Sequence, residues 1–276
     1  MLERTATPRA AGARSVETPF LFDHDLDPEL FAPDRIDWLC RRAEELDSVD
    51  VQLADPGRER PGNLPILTTA RYPVVGDALE RAIQYRIYEP AEWAGPEYRV
   101  CLERVFEIAD LDFGPGEPLV VTSVVRVFSP RAVVALHGDP DLKLVCDVSG
   151  ETVWYVRHPA EMTVQQNENL LRGEFFLRWR EAPEQALHIP PGAGCFVPSR
   201  WAHWLDHPSD EPIVSFELGF WTVDSLRRRK IYDVNWLLRR LRLNPKPPGE
   251  GRDGLKCRFF DLASTVTRKG LQYRGV

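Results

Sequence analysis

Cysteine is scarce and without pattern. The 276 residues hold five, Cys40, Cys101, Cys146, Cys195 and Cys257, and no two form a C-x-x-C pair. An odd, scattered set argues against a disulfide framework or a cysteine zinc site. Cys40 and Cys101 fall on apolar helix positions and read as small buried hydrophobes. No apolar run approaches the roughly 18 residues of a membrane-spanning helix. Basic excess is missing too: Lys and Arg number 35 against 42 Asp and Glu, a formal charge of −7. No global positive field is present to gather nucleic acid. The opening stretch MLERTATPRAAGARSVETP lacks the apolar segment of a secretion signal. The expectation is a cytoplasmic protein with no membrane or nucleic-acid partner.

Hydrophobic residues make up 43% and charged residues 28%, a globular balance. The length suits one β-barrel with helical decoration. Residues 1–18 read as a loose leader and 19–118 as helical decoration. In the latter, Asp34 can cap a helix carrying Ile36, Leu39, Cys40, Ala43 and Leu46. Residues 55–65 form a Pro/Gly loop. A helix is expected over Gly76–Tyr88, stopped by Pro90, and another over Glu97–Asp110. From Leu119 the character changes, and 119–222 reads as the barrel. Strands are expected at 119–128, 132–137, 142–148, 152–156, 186–189, 194–197 and 213–221. Short strands without crossover helices imply an antiparallel barrel or sandwich. Thr163–Arg180 is mixed. Residues 223–276 form a C-terminal helix, over Val223–Leu243, and a tail. The helix's cations, Arg227 to Lys230, Arg239, Arg240 and Arg242, read as a solvated face, with a homodimer contact or an anionic-ligand surface as alternatives.

Two segments concentrate the chemistry. One is Leu136-His137-Gly138-Asp139-Pro140. The other is Val197-Pro198-Ser199-Arg200-Trp201-Ala202-His203-Trp204. His137 and Asp139, two apart at a strand end, project to the same side. A histidine from a remote strand, 66 positions on (203 − 137), can join them at one ion. Two imidazoles and a carboxylate on one face leave positions open, the donor set of non-haem Fe(II) enzymes. His207 competes for the third position. His24, His158 and His188 lack partners at ligand spacing. Trp201, Trp204 and Trp221 read as barrel core.

The pattern H-x-D…L-x-C-x-V-x-G…W, then IPPGAG-x-FVP-x-x-W-x-H-W, then S-F-E-L-G-F-W, resembles the cupin-like branch of the JmjC family. The likeness runs from about Leu119 to Trp221, and more weakly through Tyr232–Asn235. It implies a mainly β fold, a double-stranded β-helix (cupin, jelly-roll), with flanking helices. It further implies a non-haem Fe(II) dioxygenase that uses 2-oxoglutarate and O2 to hydroxylate a C–H bond. His137, Asp139 and His203 would be its metal ligands. Because Asp139 fills the site a halide would need, hydroxylation is expected rather than halogenation.

One position departs from the family. Two residues beyond the hairpin Gly150, where the family places a lysine for the distal carboxylate of 2-oxoglutarate, stands Thr152. A hydroxyl donates one hydrogen bond and no charge. Lys143, pointing inward between outward Leu142 and Leu144, is the first candidate to replace that cation. Arg126, within an apolar strand, is the second. For Lys143 an ion pair with Asp147 or Glu217 is the plainer role. Two further readings stand beside the oxygenase: a cupin-fold binding or regulatory protein, and a metal-dependent enzyme that does not use 2-oxoglutarate. The substrate is expected to be a small molecule, a peptide or a carrier-bound intermediate.

Overall fold

The computed structural model describes residues 14–53, 82–113, 118–170, 185–208 and 210–268. Eight antiparallel strands make the barrel: β6 (Val121–Phe128), β7 (Val133–Gly138), β8 (Leu142–Ser149), β9 (Thr152–Arg157), β10 (Gln185–Ile189), β11 (Ala193–Val197), β12 (Ala202–Asp206) and β13 (Ile213–Phe220). They divide between two sheets. One holds β10-β9-β12-β7 in that order. The other holds β11-β8-β13-β6 and is lengthened at its edges by β2 (Phe20–Asp23), β4 (Ala82–Tyr88) and β3 (Val49–Leu53). This arrangement is the double-stranded β-helix, as expected. A two-residue parallel pair, β1 (Arg14–Ser15) with β5 (Leu111–Asp112), lies apart.

Strand alternation builds two cores, one on each face of the larger sheet. Leu142, Leu144, Cys146, Phe216, Leu218 and Phe220 face outward. There they meet α1 (Pro33–Glu45) through Ile36, Leu39 and Ala43, and α3 (Pro96–Ala109) through Tyr98, Cys101 and Val105. The opposite face closes the barrel interior with Phe128, Val145, Trp154, Val156, Cys195, Val197 and Leu205. Gly194 is required where β11 crosses β8: a Cβ there would lie 2.5 Å from the Val145 carbonyl and 2.6 Å from the Phe22 ring. All five cysteines are free. Among the described residues no helix is long and apolar enough to cross a membrane.

Three expectations need correction. The helix placed over Gly76–Tyr88 is strand β4 from Ala82; residues 76–81 lie outside the described residues. Tyr85 and Ile87 are buried, and the segment pairs with β6 on one side and β3 on the other, so sheet pairing overrides the Ala-rich helical spacing. Region 19–118 is therefore not purely helical. Strand β12 was absent from the expected strand ranges, although His203 was expected to lie on a strand. Beyond α5 (Val223–Arg240), the tail forms a further helix, α6 (Asp253–Arg268). Of the mixed stretch, Val164–Leu170 is helix α4, after which the described residues resume at 185. The 55–65 loop and residues 1–13 of the leader also lie outside them. The remaining short helix, α2 (Pro90–Trp93), leads into α3.

Candidate metal centre

His137 is the penultimate residue of β7, and His203 lies directly across from it on β12. Cross-strand neighbours project from the same face, so the two rings stand 4.2 Å apart. Asp139 follows the end of β7. Its backbone carbonyl accepts from the Arg200 N–H at 2.8 Å, which ties the loop before β12 to the end of β7. The Asp139 Oδ2 atom lies 3.4 Å from His203 Nε2 and 3.8 Å from His137 Nε2. One donor atom from each of the three residues falls within 4.8 Å of the others.

The donors fit a divalent ion. Two ligand atoms about 2.1 Å from one metal and at right angles to each other lie about 3 Å apart. His203 Nε2 and Asp139 Oδ2 are buried and have no hydrogen-bond partner, an arrangement that costs free energy unless something occupies the point between them. His203 Nδ1 lies 2.9 Å from the Trp201 carbonyl. A carbonyl only accepts, so Nδ1 carries the proton and Nε2 presents its lone pair inward. Trp154 stacks on the same imidazole, with ring centroids 5.2 Å apart.

Electrostatics keep the carboxylate ready to ligate. Burial works to raise the Asp139 carboxyl, but Lys143, His137 and His203 outweigh it and hold the group well below the usual range. Lys143 does point into the barrel. Its ammonium contacts Glu217 and lies 3.4 Å from Asp139 and 3.8 Å from Asp141. Burial disfavours its charge, yet the three carboxylates overcome this and keep it protonated. Glu217 also receives Arg126 at 2.8 Å. Burial would raise Glu217, but Arg126 and Lys143 lower it. Asp141 is pushed up to about 6, chiefly by burial, with Lys143 opposing.

Thr152 lies four positions along β9 from Val156, the residue that pairs with His203. Its hydroxyl donates to Asp147, whose other oxygen accepts from Ser215 at 2.6 Å. Burial pushes Asp147 up to about 7 against those two hydrogen bonds. His207 does not join the ligand cluster. It packs against the Phe128 ring, with centroids 4.1 Å apart and planes tilted by 35°, and burial lowers it to about 3. The Asp147–Thr152–Ser215 network was missed at the sequence level, as was Asp141. Their only signal was polar residues at inward positions of β8, β9 and β13 and just before β8.

No protein-family model matches the sequence, and no curated protein does. Solved structures do match. The X-ray structure of Escherichia coli ycfD superposes with a TM-score of 0.54 at 14% identity, over 91% of this chain and 65% of that one. A structure described as Escherichia coli ribosomal oxygenase YcfD gives 0.51 at 14% identity, covering 90% and 63%. YcfD in complex with cobalt and 2-oxoglutarate gives 0.52 at 14% identity, covering 92% and 65%. This chain thus spans about two-thirds or less of the length of those proteins. The likeness establishes the fold.

Proposed function

We propose that the protein is an Fe(II)- and 2-oxoglutarate-dependent oxygenase that hydroxylates an unactivated C–H bond of a small-molecule, peptide or carrier-bound substrate. The observation that carries this reading is the meeting of His137, Asp139 and His203, with two of their donor atoms buried and unpartnered. Likeness in fold to a protein described as a ribosomal oxygenase, in complex with cobalt and 2-oxoglutarate, supports it. Five free cysteines agree with a reducing, cytoplasmic setting.

Bound at the three ligands, iron supplies O2 activation: one oxygen atom enters the substrate C–H bond, and the other converts 2-oxoglutarate to succinate and CO2. The chain's residues position and polarise. The Trp201 carbonyl orients His203. Lys143, fixed by Glu217, holds Asp139 ionised. On the barrel's inner face, the Arg126 Nε and Trp154 Nε1 donors are buried without a partner, as are both ring nitrogens of the neutral His207, one of which carries a proton. Donors left unmatched in a closed interior favour an anionic ligand. We assign Arg126 as the group that meets the distal carboxylate: Glu217 holds both cations, but the Arg126 Nε keeps a buried donor free, whereas the Lys143 ammonium is shared among Glu217, Asp139 and Asp141. Thr152 contributes by engaging Asp147.

Anaerobic titration tests the reading. Fe(II) should bind, and adding 2-oxoglutarate should then raise a weak visible charge-transfer band. Arg126→Gln should weaken the 2-oxoglutarate response about tenfold, the loss of one charge-assisted hydrogen bond, with iron content unchanged. Iron binding without the band would favour a metal-dependent enzyme that does not use 2-oxoglutarate. The pairing of Thr152 with Asp147, where the family carries a lysine, is the feature in that alternative's favour. No iron binding would leave a binding protein.

A further inference from the structure

At the turn that leads into β12, lined by Pro198 to Trp201, a cleft of about 640 Å³ opens between the barrel rim and α5. It shares Arg200, Asp224, Arg228 and Tyr232 with a neighbouring pocket of about 320 Å³. That pocket shares Arg227, Gly249 and Asp253 with a third, of about 500 Å³, which reaches Arg252 and Arg258 at the start of α6. The three form one continuous groove.

Its charge is uneven. Of the four consecutive cations at 227–230, Arg228 pairs with Asp224, Arg229 with Asp233 and Lys230 with Asp261. Arg227 has no carboxylate partner among the described residues, and neither do Arg252 and Arg258. Of the carboxylates lining the 320 and 500 Å³ pockets, Asp224 is paired with Arg228 at 2.7 Å; Asp253 accepts from the Gly249 N–H at 2.7 Å through one oxygen, and its other oxygen is buried without a hydrogen bond, 3.9 Å from the Lys256 ammonium. A chain of net charge −7 thus gathers unmatched arginines in one groove. Arg200 connects them to the metal loop. Its backbone is left-handed, with φ 71°, a strained conformation for a residue with a side chain. Its N–H holds the Asp139 carbonyl, and its guanidinium donates to the Tyr232 hydroxyl at 3.2 Å.

We propose that this groove is a binding site for a small phosphate ester, held by Arg200, Arg227 and Arg258 with the rest of the molecule directed toward the metal. Arginine forks match phosphate oxygens in pairs, and a groove lined by several of them suits a multiply charged group. Arg200 precedes His203 by three residues in the chain, so the groove and the metal ligands share the turn that leads into β12. Naming this ligand as substrate rests on the oxygenase reading; the anion site itself does not.

Pyrophosphate, titrated calorimetrically into metal-free full-length protein at low salt, is the probe. Wild type should bind one equivalent, Arg227→Gln and Arg258→Gln should each bind about tenfold more weakly, and Arg240→Gln should match wild type. Arg240 lies over the Trp236 ring, outside the groove, and controls for diffuse charge. Circular dichroism checks that each variant is folded. No binding, equal weakening in Arg240→Gln, or displacement of pyrophosphate by a lower concentration of single-stranded oligonucleotide would each overturn the proposal. Iron content, measured separately, keeps the two readings distinct: pyrophosphate binding without iron removes the oxygenase and leaves the groove, and the reverse removes the groove alone.

Discussion

Asp147 offers a quantitative test of how the barrel interior is built. The carboxyl is fully buried, accepts from Ser215 and Thr152, and has no cation beside it. Burial raises it from 3.8 to about 7. The ionised form is thus disfavoured in the folded chain, by about 4 kcal/mol once both states are deprotonated, from three pKa steps of about 1.4 kcal/mol each. An acid with a raised folded pKa contributes no penalty below its unfolded value. The penalty grows as pH rises from near 4 to near 7 and is constant above. Asp147→Asn removes the titration and keeps an oxygen acceptor, while both hydroxyls can accept from its amide. Urea unfolding of metal-free wild type and Asp147→Asn should therefore show a gap that shifts in favour of the variant by about 2.5 kcal/mol between pH 5 and pH 8. Other titrating groups, Asp141 among them, are shared by the two proteins and cancel. A gap that does not move with pH would refute the argument. So would one that moves toward wild type. The outcome bears on the proposed function, because a neutral acid in the barrel interior would tolerate the carboxylate of a 2-oxoglutarate bound there and an ionised one would repel it.

Glu217→Ala leaves Lys143 and Arg126 buried with their shared carboxylate gone, and should cost about 3–5 kcal/mol in denaturant unfolding; a loss below about 1 kcal/mol would mean water already screens the pair. Gly194→Ala forces β11 away from the Val145 carbonyl and the Phe22 ring, and should destabilise by about 1–3 kcal/mol. An unchanged melting temperature would show that the two strands are not packed as described.

The barrel was legible because its strands are rich in β-branched residues and broken by Pro/Gly turns. Lys143 was placed inward by alternation alone, between Leu142 and Leu144. The plainer of its two roles, pairing with Glu217, is the one its contacts display. A strand at His203 was expected, but its extent was not legible: Ala202–Asp206 is short and follows Pro198, Ser199 and Arg200. It is a strand because it pairs on both edges, with β7 and with β9. Strand β4 misled for the opposite reason. Ala82 and Ile83 extend a helical spacing begun upstream, and only pairing with β6 decides the matter. The Asp147 network was illegible because it depends on register. Ser215 stands opposite Asp147 across the β8–β13 pair, after a bulge that no local pattern announces. Convergence of the metal donors was foreseen from two motifs. The contacts of Asp141 with Lys143 and of the Trp201 carbonyl with His203 came only with coordinates.

The measurement closest to the central claim is anaerobic Fe(II) binding by wild type and by His203→Ala, with circular dichroism recorded on the same samples. One iron per wild-type chain and none in a variant that keeps the β-rich spectrum is the predicted result. Equal iron content in both proteins would contradict it, because His203 would then not be a ligand.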